Sequence, residues 1–123
     1  MAEKTRFEKG QDITRALWGD RVGKKQMPAH KLAPEFFQMV TEFCFGGFYS
    51  RPNLALRDRS LCTVAQLAAL GKTEELKAHL AGALNLGITR DELIEVLMQT
   101  SQYAGIPAAL NAGAEVLLDE AEE

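Results

Sequence analysis

The sequence predicts an all-α fold, a single six-helix bundle spanning residues 1–123, and three observations lead to it. Apolar residues recur at helical spacing along most of the chain, no stretch alternates as a half-buried strand does, and helix start and stop residues bracket the periodic segments. With 123 residues, 46% hydrophobic and 25% charged, the chain suits one domain with a packed core, and disorder or low complexity is excluded.

The first helix is predicted over roughly Lys4 to Trp18, offering Phe7, Ile13, Leu17 and Trp18 to a core and ending at Gly19-Asp20. Arg21 to Lys31 is basic, polar and without period, which predicts an exposed connection. Pro34 suits the first turn of a second helix running to about Phe48, whose aromatic residues occupy most of its circumference. A helix apolar on so many sides needs cover beyond one small domain, and self-association supplies it.

Ser50-Arg51-Pro52-Asn53 breaks the pattern, and a third helix follows from about Ala55 to Leu70, turning Leu61, Val64, Leu67 and Ala68 inward until Gly71. Thr73 is the expected N-cap of a fourth helix with the stripe Leu76, Leu80, Ala83 and Leu84, closed by Gly87. Thr89-Arg90-Asp91-Glu92 has capping-box form and opens a fifth helix along Leu93, Val96, Leu97 and Thr100. Gly105-Ile106-Pro107 interrupts it, and Ala108 to about Glu120 is the sixth, built on Leu110, Ala114, Leu117 and Leu118.

Fourteen basic against 17 acidic residues give a formal charge of −3, which favours no nucleic-acid partner. No apolar run reaches membrane-helix length and no signal-type segment opens the chain, so no membrane partner and a cytoplasmic location are expected. Cys44 and Cys62 have no metal-type spacing and are expected as reduced, buried thiols. Phosphate-loop, dinucleotide, serine-hydrolase and zincin motifs are absent, so any chemistry is expected to need no cofactor.

Glu75 and His79 lie four apart beside the Leu76–Leu80 stripe, as an acid or base with its orienting carboxylate, or as a surface pair. Arg51, Arg57 and Arg59 bracket the start of the third helix, where guanidinium groups match a carboxylate bidentately or serve solvent and subunit contacts. Gln99 and Tyr103 form another i,i+4 polar pair on the fifth helix, near its glycine break.

In order along the chain, Arg51-Pro52, Arg59-Ser60-Leu61, Ala68-Ala69-Leu70-Gly71, Glu75-Leu76 with His79, Ala83-Leu84-Asn85, Gly87-Ile88-Thr89, Glu95-Val96-Leu97 and Tyr103-Ala104-Gly105-Ile106-Pro107 resemble the gamma-carboxymuconolactone decarboxylases, within the alkylhydroperoxidase D-like superfamily. The resemblance implies a helical subunit in a ring-like homo-oligomer, trimer or hexamer, and a small carboxylate or lactone substrate. In that reaction, loss of carbon dioxide from the γ carbon pushes electrons through an unsaturated lactone to its carbonyl. The substrate is its own electron sink, so no metal or coenzyme is required.

The matching positions, combined with chemical suitability, imply His79 as acid or oxyanion donor, Glu75 orienting it, and Arg51, Arg59, Gln99 and Tyr103 binding substrate, with Tyr49, a phenol where the family has an indole, expected beside them. Two positions depart. Where the decarboxylases carry Trp-Gly-Glu, this chain has Phe45-Gly46-Gly47, followed by Phe48-Tyr49, so a carboxylate is missing at Gly47. The peroxidase branch has a Cys-x-x-Cys dithiol where this chain has Lys72 and Glu75, which disfavours thiol-dependent peroxide chemistry.

Overall fold

A computed structural model describes residues 2–19 and 28–122, with side chains as far as residue 116. Most of the predicted basic connection, residues 20–27, lies outside the described residues. Contacts divide the chain into two compact units, Met1–Leu56 and Arg57–Glu123.

In the first unit, α1 (Arg6–Trp18) starts at a capping box not anticipated from the sequence: the Glu8 N–H donates to Thr5 Oγ1 (3.1 Å) and the Thr5 N–H to Glu8 Oε1 (3.0 Å). A short α2 (Pro28–Leu32) follows, where the sequence predicted loop, and places His30 against Phe37 with ring centroids 5.6 Å apart. Pro34 opens α3 (Pro34–Val40) as predicted, but at Thr41 the coil widens into a π-helix, Thr41–Tyr49.

Packing against α1 accounts for the widening. A Cβ on Gly10 would lie 2.2 Å from the Thr41 carbonyl oxygen, and one on Gly46 would lie 1.9 Å from that of Arg6. Thr41 and Gly46 therefore both face α1 although five residues apart. In an α-helix they would diverge by about 140°, whereas an i→i+5 turn returns them to one face. Phe45 is buried on the same segment, edge-on to Trp18 at 5.7 Å, while Phe43 and Phe48 remain exposed against one another.

In the second unit, α4 (Leu56–Leu70) buries Ser60, Val64 and Ala68. It ends at Gly71, where the Lys72 N–H bonds the Leu67 carbonyl (3.0 Å). Lys72, not Thr73, is the residue before α5 (Thr73–Asn85), because the chain leaves this turn directly into the helix and Thr73 already has helical geometry. Leu76, Leu80 and Ala83 are buried as predicted. At the far end Gly87, at φ +89°, lets the Ile88 N–H reach back to the Ala83 carbonyl (3.1 Å), and Ile88 is buried.

The predicted Thr89–Glu92 box starts α6 (Arg90–Ala104), and Gly105 separates it from α7 (Ile106–Glu122). The described chain thus holds seven α-helices rather than six, the short α2 being the addition. The last helix also turns differently than predicted. Ala112 and Val116 close the core with Val64, Ala68, Leu93 and Leu97, while Leu110 is 68% exposed. With Ile94, Met98 and Ile106 it borders an open apolar groove between α6 and α7. Among the described residues no helix is long and apolar enough to cross a membrane.

The adjacent glycines 46 and 47 give a test of the α1–π contact, since a Cβ on Gly47 would meet only the Glu42 carbonyl oxygen at an ordinary 3.4 Å. Gly46→Ala should cost about 3 kcal/mol or more, with backbone forced apart, whereas Gly47→Ala should be neutral or stabilise by up to about 1 kcal/mol. Urea unfolding midpoints of the two variants check this, and equal midpoints would contradict the close packing.

Candidate active site

The row Leu76, Leu80 and Ala83 faces the core, so His79, just before Leu80 on α5, sits on the flank of that row. It is half-buried and its Nδ1 is withdrawn from solvent. Burial pushes the imidazole pKa below its ordinary value, and the charge of Glu75, one turn earlier and exposed, opposes this more weakly. At neutral pH the ring is therefore neutral, an N–H donor or a base rather than a standing acid.

Arg51 and Tyr49 come together in the first unit, lining a cavity of about 420 Å³ with Lys9, Asp12 and Ser50. Helix α1 brings Lys9, Asp12 and Ile13 to one face at i, i+3 and i+4, and the end of the π-helix presents the others. Tyr49 is held by its ring contact with Phe45 at 5.2 Å. Ser50 Oγ donates to the Gly46 carbonyl, and the Arg51 N–H donates to that of Phe48 (3.1 Å). Lys9 was not anticipated as a site residue. Its spacing to Asp12 is visible in the sequence, but the fold of residues 49–56 beside it is not.

Of the arginines that cluster in the sequence, Arg57 and Arg59 lie on α4. Arg57 pairs with Glu92 at 2.6 Å, and the same carboxylate caps α6 by accepting from the Thr89 N–H (3.0 Å). Arg57 is thus part of a helix cap. Arg59 is half-buried on α4, its carbonyl accepting from Thr63 Oγ1 (3.0 Å).

Gln99 and Tyr103 line a groove of about 650 Å³ between α4 and α6, together with Cys62, Gln66 and Glu95. Neither Glu75, His79 nor Arg59 borders it, because α6 turns Leu93, Leu97 and Thr100 to the core and its polar pair outward. Tyr103 is 92% exposed. Cys62 is also exposed, not buried as expected, since α4 fills its inward face with Ser60, Val64 and Ala68. Cys44 is half-buried, and burial raises its thiol pKa.

Residues 34–118 match the carboxymuconolactone decarboxylase family. The chain is 34% identical to 4-carboxymuconolactone decarboxylase of Acinetobacter baylyi over 97% of its own length and 92% of the relative's. It is 32% identical to a nitrosuccinic acid decarboxylase of Metarhizium robertsii over 61% of its length, about half (52%) of that protein.

The state of His79 carries a stability signature. Its folded-state pKa lies below the unfolded value of about 6.5, so acid protonates the unfolded chain more readily. The associated stability is fully present above about pH 6.5 and is lost as pH falls from there through the lower folded-state pKa. Urea midpoints measured from pH 8 to pH 5 should fall on the acid side, and His79→Gln should flatten that part of the curve. An unchanged acid slope in the variant would mean that His79 is not held neutral by burial.

Proposed function

The chain belongs to the carboxymuconolactone decarboxylase family, and from that premise we propose that it is a carboxy-lyase converting 4-carboxymuconolactone to 3-oxoadipate enol-lactone in aromatic-acid breakdown, without a cofactor. The observation that carries this reading is the near end-to-end similarity to a decarboxylase in a chain that holds His79 neutral on a well-anchored helix.

The chemistry follows from the substrate. The bond from the γ carbon to its carboxylate breaks heterolytically, the carboxylate leaves as carbon dioxide, and its bonding pair moves through the ring double bond onto the lactone carbonyl oxygen. The resulting dienolate takes a proton at the carbon next to that carbonyl, giving the enol-lactone. In this reading His79 donates its N–H to the oxygen as charge gathers there, and water supplies the carbon-bound proton. Glu75 keeps the imidazole from falling still lower in basicity. Arg51, with Tyr49, and Arg59 serve carboxylate recognition. Gln99 and Tyr103, exposed in a groove that His79 does not border, are assigned to binding at a subunit surface rather than to the chemistry.

Gly47 favours a second reading, a related substrate. The missing carboxylate is not forced by packing, and the nitrosuccinic relative acts on an acid that also carries an internal electron sink, its nitro group. Another lactone or enol acid of that kind would use the same donor.

Purified protein given 4-carboxymuconolactone should release carbon dioxide. His79→Gln should lower turnover by about 100- to 1,000-fold, the usual loss for an oxyanion donor, without removing a limb on the alkaline side of the pH profile, because the ring is already neutral there. Turnover near the parent's in a folded variant would take His79 out of the mechanism. No release from the parent protein would shift the reading to the related acid.

We also propose that the subunits form a homo-oligomer, trimer or hexamer, covering apolar surface such as Phe43, Phe48, Met98 and Leu110. Light scattering at micromolar concentration should find at least three subunits per particle, and a stable monomer would overturn this.

A further inference from the structure

The widening that turns Thr41 and Gly46 toward α1 acts equally on the opposite side. Phe43 and Phe48 each lie two residues further on, about half a turn away around the helix, and they meet there edge-on with ring centroids 5.1 Å apart. Phe36 and Met39 continue this face along α3, at i and i+3 to the i+7 of Phe43. Four large apolar side chains, each between 45% and 67% exposed, thus form one ridge in the first unit. Gln38 and Glu42, hydrogen-bonded to one another at 3.1 Å, flank it with polar groups.

The second unit carries a surface of the opposite shape. The groove between α6 and α7, of about 560 Å³, is lined by Ile94, Met98, Ile106 and Leu110 and by the small Ala109 and Gly113, where little side chain fills it. A Cβ on Gly113 would meet only Leu97, at 4.0 Å, so the space above it is open to side chains from outside. Among the described lining residues none is charged, and the polar one, Ser101, already donates to the Met98 carbonyl (2.6 Å). The groove therefore suits an apolar occupant and offers it no ion pair.

Pairing each surface with itself packs poorly, because two ridges touch only at their crests and two grooves enclose empty volume. A ridge laid into the groove fills it, in the helix-in-groove mode with anchors at i, i+3 and i+7. Ridge and groove each expose on the order of 400 Å² of apolar side chain. Joined, with their polar rims, they reach the roughly 1,000 Å² that a specific interface buries.

We infer that the α3–π ridge of one copy of this chain seats in the α6–α7 groove of the next. The inference rests on the homo-oligomer proposed above and deepens it by assigning a head-to-tail contact. Each copy gives its ridge to one neighbour and its groove to another, an arrangement that closes into a ring instead of a two-fold dimer.

Phe43→Glu blocks the ridge and Leu110→Glu the groove, both at exposed positions. Analytical ultracentrifugation of the full-length variants, one of them fluorescently labelled, should find self-association of each weakened by about 30-fold or more, the effect of losing one apolar anchor. Mixed in equal amounts, the two should pair with one another about 30-fold more tightly than either pairs with itself, because one intact ridge and one intact groove remain between them. Phe43→Ser and Leu110→Ser take their place in the mixing if circular dichroism shows that a glutamate variant has lost helix. The inference is overturned by a variant that assembles as the parent does, by mixing that restores nothing, or by each variant stopping at a two-fold dimer, which would mean that ridge pairs with ridge and groove with groove. In all three cases a parent particle of three or more subunits leaves the homo-oligomer standing, whereas a monomeric parent overturns both.

Discussion

The burial of Leu76, Leu80 and Ala83 against Val64, Ala68, Leu93, Leu97, Ala112 and Val116 sets the rotation of α5, and the state of His79 depends on that rotation. Removing a leucine side chain from water contributes on the order of 2 kcal/mol, so turning α5 by one residue would expose two such groups. It would also press a titratable ring into the core. The helix cannot slide either. Its start follows the Gly71 turn, and its end is tied through Gly87 to the buried Ile88. His79 is consequently held at a border, buried enough to lose its charge and near enough to Glu75 to feel it.

Much of this frame was legible from residue spacing. The inward rows of α4, α5 and α6 follow directly from apolar period, and Thr89-Arg90-Asp91-Glu92 marked its helix start because the capping residues are adjacent in sequence. The π-helix was not legible. A segment apolar on nearly every side has no preferred face from which to read a period, and its widening answers two carbonyl contacts made by α1. In α7, Leu110 suggested a face by size, but among the described side chains it is Ala112 and Val116 that close the core. The candidate site divides the same way. Glu75 and His79 are neighbours by helix geometry alone, whereas Lys9 joins Arg51 through a turn that no periodicity describes, and Arg57 pairs with Glu92, distant in sequence.

Gly46 and Gly47 show how one dipeptide serves two different constraints. Gly46 is fixed by backbone, since any side chain would drive into the Arg6 carbonyl. Gly47 faces ordinary space, so its lack of a side chain is not demanded by this fold. The side chain at position 47 can therefore change while the α1–π packing stays as it is.

Decarboxylation also explains why a neutral imidazole and separate cations belong together in the proposed chemistry. As carbon dioxide departs, negative charge leaves one carboxylate and gathers on a distant oxygen. A cation beside the departing carboxylate stabilises the starting state more than the transition state and slows the step. A protonated His79 would attract that carboxylate, whereas a neutral N–H has a weaker hold on it and gains most once the oxyanion forms. Permanent positive charge is useful only at a carboxylate that stays. A neutral His79 and a cation kept to the carboxylate that stays thus answer one requirement of the proposed chemistry: to bind a dianion without holding the group that must leave.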